Sequence, residues 1–317
     1  MTERVVVLAG GRSAEREVSL RSGWAVALAL RERGYEVVEI DAGADLAERL
    51  KEAAPDVVFV ALHGKFGEDG CVQGFLEVMD IPYTGSGVLA SALAMDKIAT
   101  KRLLQSQGLP TAAFAVVERG EWPGERDRVL ETIGKALGDR LVVKVPDEGS
   151  SLGTFMAHDR NELAASLDRV LEMSPRALVE EFLPGMEVHA ALVGNENPRV
   201  LPLIEIVPLA GEFYDYRSKY APGGSEHIIP PRLPEEVQGK IRDLAARTYR
   251  LLGCSGFARV DLRLAGDDRP MVLEVNTIPG LTETSLVPDA ARAAGISFGD
   301  LVEEIIRLAK AKKFFPG

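Results

Sequence analysis

The stretch GFARVDLRLAGDDRPMVLEVNTIPGLTETS, Gly256 to Ser285, alternates apolar and polar residues over Phe257 to Leu264 and again over Met271 to Asn276. With Gly266 and two aspartates between them, the two runs predict antiparallel strands joined by a short turn. Parity places Val260, Leu262 and Leu264 on one face with Arg259 and Asp261 on the other; Met271, Leu273 and Val275 share a face opposite Glu274 and Asn276. If both apolar faces enter one core, Asp261, Glu274 and Asn276 converge into an oxygen-rich cluster with Arg259 beside it. Hard oxygens of this kind suit Mg2+, which is usually held by one or two carboxylates together with substrate phosphates. A solvated polar face explains alternation in a single strand as well. Two consecutive strands with acids on one face, followed by NTIPGLTETS with its backbone N–H groups and hydroxyls, favour a metal site beside an anionic ligand.

Around this stretch the chain offers 317 residues, enough for two or three domains with real cores. Apolar content of 46% and charged content of 27%, with no long apolar run, predict a globular protein without a membrane span. Met1 to Arg4 lead straight into a strand with no signal peptide, so the expected location is the cytoplasm. Cys71 and Cys254 have no metal-binding spacing and read as reduced, buried small residues. A net charge of -11 argues against nucleic acid and anionic membranes as partners. Any nucleotide must then be held by local lysines.

Residues 1 to about 96 read as alternating strands and helices, with strands at Arg4 to Leu8, Glu36 to Ile40 and Val57 to Leu62. Ser13 is placed to cap the first helix. GGRSAERE lacks the dinucleotide fingerprint G-x-G-x-x-G. Glu15 and His63 both follow carboxyl ends of strands, where such sheets bind ligands, so they can share one crevice. Taken singly, Glu15 reads rather as a helix-dipole acid and His63 rather as a structural histidine. YTGSG, Tyr83 to Gly87, leads into a helix and then AMDK, the first boundary.

A strand at Arg140 to Val145 carries Lys144, and DEGSSLG follows as a loop able to cover phosphates or to serve as a plain hairpin turn. LVEEFLPGMEVHAALV reads as two strands joined by a tight turn at Pro184-Gly185; Glu180 and Glu187 fit either an adenine amino group and a ribose or solvated strand ends. FYDYRSKYAPGGSEH, Phe213 to His227, is long for a loop, and its tyrosines suit a lid. The helix after Pro234 and the helix capped by Ser297 are amphipathic core elements.

Taken together and in order, GGRSAEREVSL, LHGKFGEDG, YTGSG, AMDK, EGSSLG, FYDY with KY, ARVDL and LEVNTIPGLTETSLVP resemble the D-alanine:D-alanine ligases of the ATP-grasp superfamily. The resemblance spans nearly the whole chain. It implies an α/β fold, α+β in its later parts, with three domains: an N-terminal parallel-sheet substrate domain (1–97), a central ATP-grasp subdomain (98–180), and a C-terminal subdomain with a mobile loop and the metal site (181–317). It also implies ATP-dependent joining of two D-alanine molecules through an acyl phosphate, for peptidoglycan precursors, by a homodimer.

By the same resemblance, Lys97, Lys144 and Ser151 bind ATP phosphates; Glu180, Leu183 and Glu187 hold adenine and ribose; and Lys219 reaches the terminal phosphate. Asp261, Glu274 and Asn276 bind two Mg2+ ions, with Mn2+ an alternative. Arg259 and the Gly280 N–H stabilise the tetrahedral oxyanion. Glu15, with Ser150 and Tyr220, holds the first D-alanine near His63; Ser285 and the Leu286 N–H cradle the second carboxylate. Tyr220 favours a dipeptide over a depsipeptide product. Val145 stands where the family usually has proline after the phosphate-binding lysine. A nucleotide-binding regulatory protein without catalysis is disfavoured, because a pure binder needs no oxyanion donor beside its metal ligands.

Overall fold

The computed structural model describes residues 3–149, 153–209 and 224–312. Strands β1 (Arg4–Ala9), β2 (Glu36–Asp41) and β3 (Val57–Val60) form a parallel sheet in the order β2-β1-β3. The near-continuous apolar runs of β1 and β3 mark strands covered on both faces, and Val5 to Leu8 and Val57 to Val60 are fully buried. Helix Arg16–Glu32 packs against β1 and β2, and helix Phe298–Lys310, from the other end of the chain, packs against that helix and β3. One apolar core therefore joins residues of the first sheet to Leu286, Val287, Leu301, Ile305 and Ile306.

Strands β4 (Phe114–Glu118), β5 (Leu141–Lys144), β6 (Thr154–Ala157) and β7 (Arg176–Glu181) form an antiparallel sheet in the order β4-β7-β5-β6. Helices Trp122–Leu137 and Arg160–Met173 bury the face that carries Leu141, Val143 and Val179. Period-two alternation sends Val142, Lys144 and Glu180 to the opposite, open face.

The third sheet contains β8 (Glu187–Val193), β9 (Arg199–Val200), β10 (Ile204–Pro208), β11 (Ser225–Ile228), β12 (Phe257–Leu264) and β13 (Pro270–Asn276). Its order is β11-β10-β8-β12-β13, with β9 beside β8. Helix Glu235–Leu252 covers the face bearing Val188, Ala190, Val260 and Leu262. Pro234 precedes that helix, Glu235 and Glu236 complement its dipole, and Gly253 ends it in the left-handed region at φ 71°.

Four readings from sequence need correction. The strands flanking Pro184-Gly185 do not pair with each other, since β7 lies in the second sheet and β8 in the third. The connection is instead a crossing between sheets, pinned where the Gly185 N–H donates to the Leu264 carbonyl at 3.0 Å. Cys71 is exposed, at the first turn of helix Cys71–Val78, and only Cys254 is buried. Ser13 stands two residues before the N-cap position, Glu15, which has no side-chain cap: its hydroxyl accepts the Glu15 N–H at 3.2 Å while donating to the His63 carbonyl at 2.6 Å, tying the end of β1 to the end of β3. The long Phe213 to His227 stretch also ends in structure, because Ser225–Ile228 is β11, paired with β10.

Candidate active site

The predicted hairpin is β12 and β13, with Asp261 directly opposite Glu274 and Arg259 opposite Asn276. Arg259 grips Asp261 with two hydrogen bonds, 2.6 and 2.7 Å. The parity of Met271 and Leu273 is the part that fails. Register slips between Asp261 and Leu262, so Leu262 pairs with Val272 and Leu273 is the extra residue of a β-bulge. Val272 takes the inward place, while Met271 and Leu273 join Leu183 and Ala112 in a separate apolar cluster. Across β12, His189 of β8 lies opposite Asp261. Its Nδ1 is 3.2 Å from Asp261 and its Nε2 is 3.0 Å from Glu187, so one buried imidazole bridges the two acids.

Two clefts flank this hairpin. The first lies between the second and third sheets and is lined by Val142, Lys144, Glu180, Leu183, Glu187 and Leu273, an apolar slot with a charged end. Lys144 and Lys101 each approach Glu180 to 2.5 Å, and Lys101 also donates to the Thr111 hydroxyl at 2.6 Å. Glu180 is 2% exposed and Lys101 fully buried, so the Glu180 carboxylate here serves as counter-ion to two lysines. Burial works against its charge, but the two lysines prevail and hold Glu180 down at about 2. Val145, in place of the usual proline, donates its N–H to the Gly153 carbonyl at 3.0 Å, a rung that proline cannot make. Pro146 then offers its carbonyl to the Lys97 N–H, also at 3.0 Å.

The second cleft lies where the first sheet meets the hairpin, and Glu15, His63, Glu68, Arg259, Gly280 and Ser285 line it. Asp96 positions Lys97 by capping its helix, accepting the N–H groups of Ile98 and Ala99. Lys97 Nζ donates to the Glu148 carbonyl at 2.8 Å and lies 3.3 Å from Glu274. Gly149 packs so closely on Glu15 that a Cβ there would sit 2.6 Å from Glu15 Oε2. Lys65 pairs with the Glu148 carboxylate at 3.0 Å.

In the NTIPGLTETS loop, three N–H groups are satisfied internally, Ile278 by Asn276, Thr282 by the Ser285 hydroxyl and Ser285 by the Thr282 carbonyl, and that of Leu281 is satisfied by Ser22 of helix Arg16–Glu32. Among the described residues, neither the Gly280 nor the Leu286 N–H has a partner. Leu286 opens helix Leu286–Ala293, whose first N–H groups point outward as those of any helix do. A Cβ at Gly280 would lie 2.8 Å from Ser285 Oγ, which accounts for glycine there. Ser150, Ser151, Lys219 and Tyr220 lie outside the described residues.

Sequence reasoning missed four residues: Glu68, Lys101, His189 and Ser22. Glu68 accepts the Gly64 N–H at 2.6 Å, and burial, reinforced by the charge of Glu15, pushes its carboxyl up to about 8. The spacing of Gly64 and Glu68 within LHGKFGEDG was the available signal. Burial also pushes the His63 imidazole down, against the pull of Glu15, so the neutral ring is favoured. Because folded Glu68 holds its proton more tightly than the ordinary 4.5, its contribution to stability is complete below that pH and is lost as pH rises toward about 8. Glu68→Gln, which copies the protonated form, is expected to gain melting temperature on the parent over that interval. A difference that stays flat with pH would put Glu68 back in the ordinary carboxylate range.

An apolar slot with lysines at one end, opening onto paired acids and a guanidinium, on three sheets in this arrangement, defines an ATP-grasp ligase. The family model described as D-ala D-ala ligase N-terminus matches residues 44–86, and the one described as D-ala D-ala ligase C-terminus matches residues 103–307. The chain belongs to the D-alanine–D-alanine ligase family. It is 56% identical to a D-alanine–D-alanine ligase of Desulforudis audaxviator over 98% of this chain and 100% of that one. The corresponding figures for the Pelotomaculum thermopropionicum enzyme are 54%, 98% and 97%. The crystal structure of a Bacillus anthracis D-alanine–D-alanine ligase superposes with a TM-score of 0.85 at 35% identity, covering 98% of each chain. The same enzyme complexed with ATP gives a TM-score of 0.83 at 34% identity, again over 98% of each chain.

Proposed function

We propose the following division of labour for the ATP-dependent ligation of two D-alanines to D-alanyl-D-alanine, a step in peptidoglycan precursor synthesis. One observation carries it: the two clefts share Lys97, Glu148 and Glu274 as a common wall. A nucleotide whose base fills the slot at Leu183 and Leu273 therefore directs its phosphates toward an acid bound beside Glu15. Lys97 and Lys144 take phosphate charge, with Ser151 and, from the lid, Lys219 joining them. Glu187 takes the ribose, and Glu180 supports adenine binding while fixing Lys144.

Glu15 and His63 hold the first D-alanine, with Ser150 and Tyr220 beside it, and its carboxylate receives the phosphoryl group. Ser285 and the Leu286 N–H cradle the carboxylate of the second D-alanine, whose amine attacks the acyl phosphate. Arg259 and the Gly280 N–H take up the oxyanion charge, and collapse expels phosphate. Exclusion of water protects the hydrolysable acyl phosphate.

Asp261 and Glu274, opposite each other in register, with Asn276 on the same face, supply the hard oxygen donors that Mg2+ or Mn2+ prefers. Two ions bound there would neutralise phosphate charge. The division into domains 1–97, 98–180 and 181–317, a homodimer and a cytoplasmic location complete the proposal; no helix among the described residues is long and apolar enough to cross a membrane.

The test is phosphate release with Mg2+ and ATP, comparing no amino acid, L-alanine, D-alanine, and D-alanine plus D-lactate, with products identified by mass. D-alanine alone is expected to drive release and to yield the dipeptide. No response to D-alanine in protein that still binds ATP would move the substrate assignment to another carboxylate or amine.

A further inference from the structure

Helix Arg16–Glu32 carries two fully buried serines one turn apart, Ser19 and Ser22. Ser19 accepts the Gly10 N–H at 2.8 Å and donates to the Ala61 carbonyl at 2.7 Å, stitching the helix to the ends of β1 and β3. Ser22 makes a different connection. Its Oγ accepts the Leu281 N–H at 3.2 Å and lies 3.1 Å from His63 Nε2. A hydroxyl has one hydrogen, and at zero exposure that hydrogen needs an acceptor. Among the described residues none is present except His63 Nε2, so Ser22 donates to the ring and Nε2 is unprotonated. The proton of the neutral imidazole is then on Nδ1.

We infer that Ser22 is a positioning residue of the ligase site: bonded to both the Leu281 N–H and the His63 ring, it anchors the Leu281 end of the Ile278–Leu281 turn, whose other end Asn276 holds, and so sets the height of the Gly280 N–H over the reacting carbon. The inference rests on the role given above to Gly280. Gly280 sits between the two anchored residues, and its own N–H is unused among the described residues. Ser22 touches no substrate. It holds the turn and the imidazole beside it.

The test begins with the unaltered protein. Nitrogen-15 NMR of the His63 imidazole is expected to report the Nδ1–H tautomer, and an Nε2–H tautomer would overturn the inference without any variant. Ser22→Ala is then compared with Ser19→Ala, which removes an equally buried hydroxyl one turn away. Ser22→Ala is expected to shift the tautomer and to lower kcat on the order of tenfold. The KM for ATP should stay within about twofold, since the turn lies outside the nucleotide slot. Ser19→Ala is expected to lower the melting temperature while leaving tautomer and kcat as in the parent. Ser22→Cys, which keeps a weak donor, is expected to recover part of the loss and covers the case in which Ser22→Ala does not fold. Equal kcat losses in the Ser22 and Ser19 variants, or a parental tautomer in Ser22→Ala, would count against Ser22. If the unaltered protein makes no dipeptide, the ligase reading fails by itself, and the tautomer measurements still report on the Ser22–His63 bond.

Discussion

Glu274→Gln is expected to lower kcat by about 10^2- to 10^3-fold, the range for loss of one well-placed group that stabilises transition-state charge. Its melting temperature should stay within a few degrees of the parent. The asymmetry follows from placement. Glu274 stands opposite Asp261, forms part of the wall shared by both clefts, and is 27% exposed, so its pair with Lys97 at 3.3 Å is partly screened by solvent. Accessible ion pairs contribute roughly 0–1 kcal/mol to stability. Glutamine keeps the shape and removes the charge, so the loss should appear in turnover and in a higher Mg2+ requirement. Steady-state rates over a Mg2+ series check this, and near-normal turnover in a folded Glu274→Gln would remove the residue from the metal site.

The largest stability effect is expected from Lys101→Met. Lys101 is fully buried, 2.5 Å from Glu180, and its removal leaves that carboxylate with Lys144 alone. Breaking a buried ion pair by deleting one partner costs roughly 3–5 kcal/mol. For a chain of this size that is a fall in melting temperature of roughly 6–20 °C. Lys101→Met combined with Glu180→Leu should recover much of the loss, because a buried pair replaced by apolar groups is often neutral, but it should weaken ATP binding by releasing Lys144. A melting temperature for Lys101→Met within two degrees or so of the parent would mean that Glu180 does not depend on it.

The same network sets acid behaviour. The Glu180 carboxyl is depressed from 4.5 to about 2, so its stabilising contribution is present above pH 4.5 and is lost as pH falls toward about 2. Melting curves across that acid interval should show the parent losing stability faster than the double variant.

Sequence alone carried the hairpin, because alternation in β12 and β13 is a direct image of which face each residue takes. It did not carry the bulge. One inserted residue leaves the alternation on either side intact, so parity sends Met271 and Leu273 to the main core, whereas they join Ala112 and Leu183 in a separate cluster, with Leu273 lining the first cleft. Glu15 and His63 were legible as neighbours because strand ends of a parallel sheet lie side by side. Lys101 was not, because KRLLQS reads as an ordinary half-exposed helix, and only the packing of that helix against the second and third sheets brings the lysine to Glu180. Ser22 was hidden for a similar reason: its partner Leu281 lies at the far end of the chain. The crossing from β7 to β8 looked like a hairpin because a Pro-Gly pair marks a change of direction without saying which strands pair afterwards.

The sharing of one core by β1 to β3 and helix Phe298–Lys310 also bears on how the protein is made. The ribosome delivers the parallel sheet before the other two, yet one of its covers, helix Phe298–Lys310, emerges only after both of them. Domains usually fold in the order of synthesis. Here the first sheet must wait with part of its apolar surface bare while the second and third sheets form, and the ion pairs of Arg33 with Asp300 and Glu303, and of Lys310 with Glu3, can close only after helix Phe298–Lys310 has been made. The second cleft, built at that junction, is therefore completed only after helix Phe298–Lys310 is in place, whereas the first cleft depends on the second and third sheets alone.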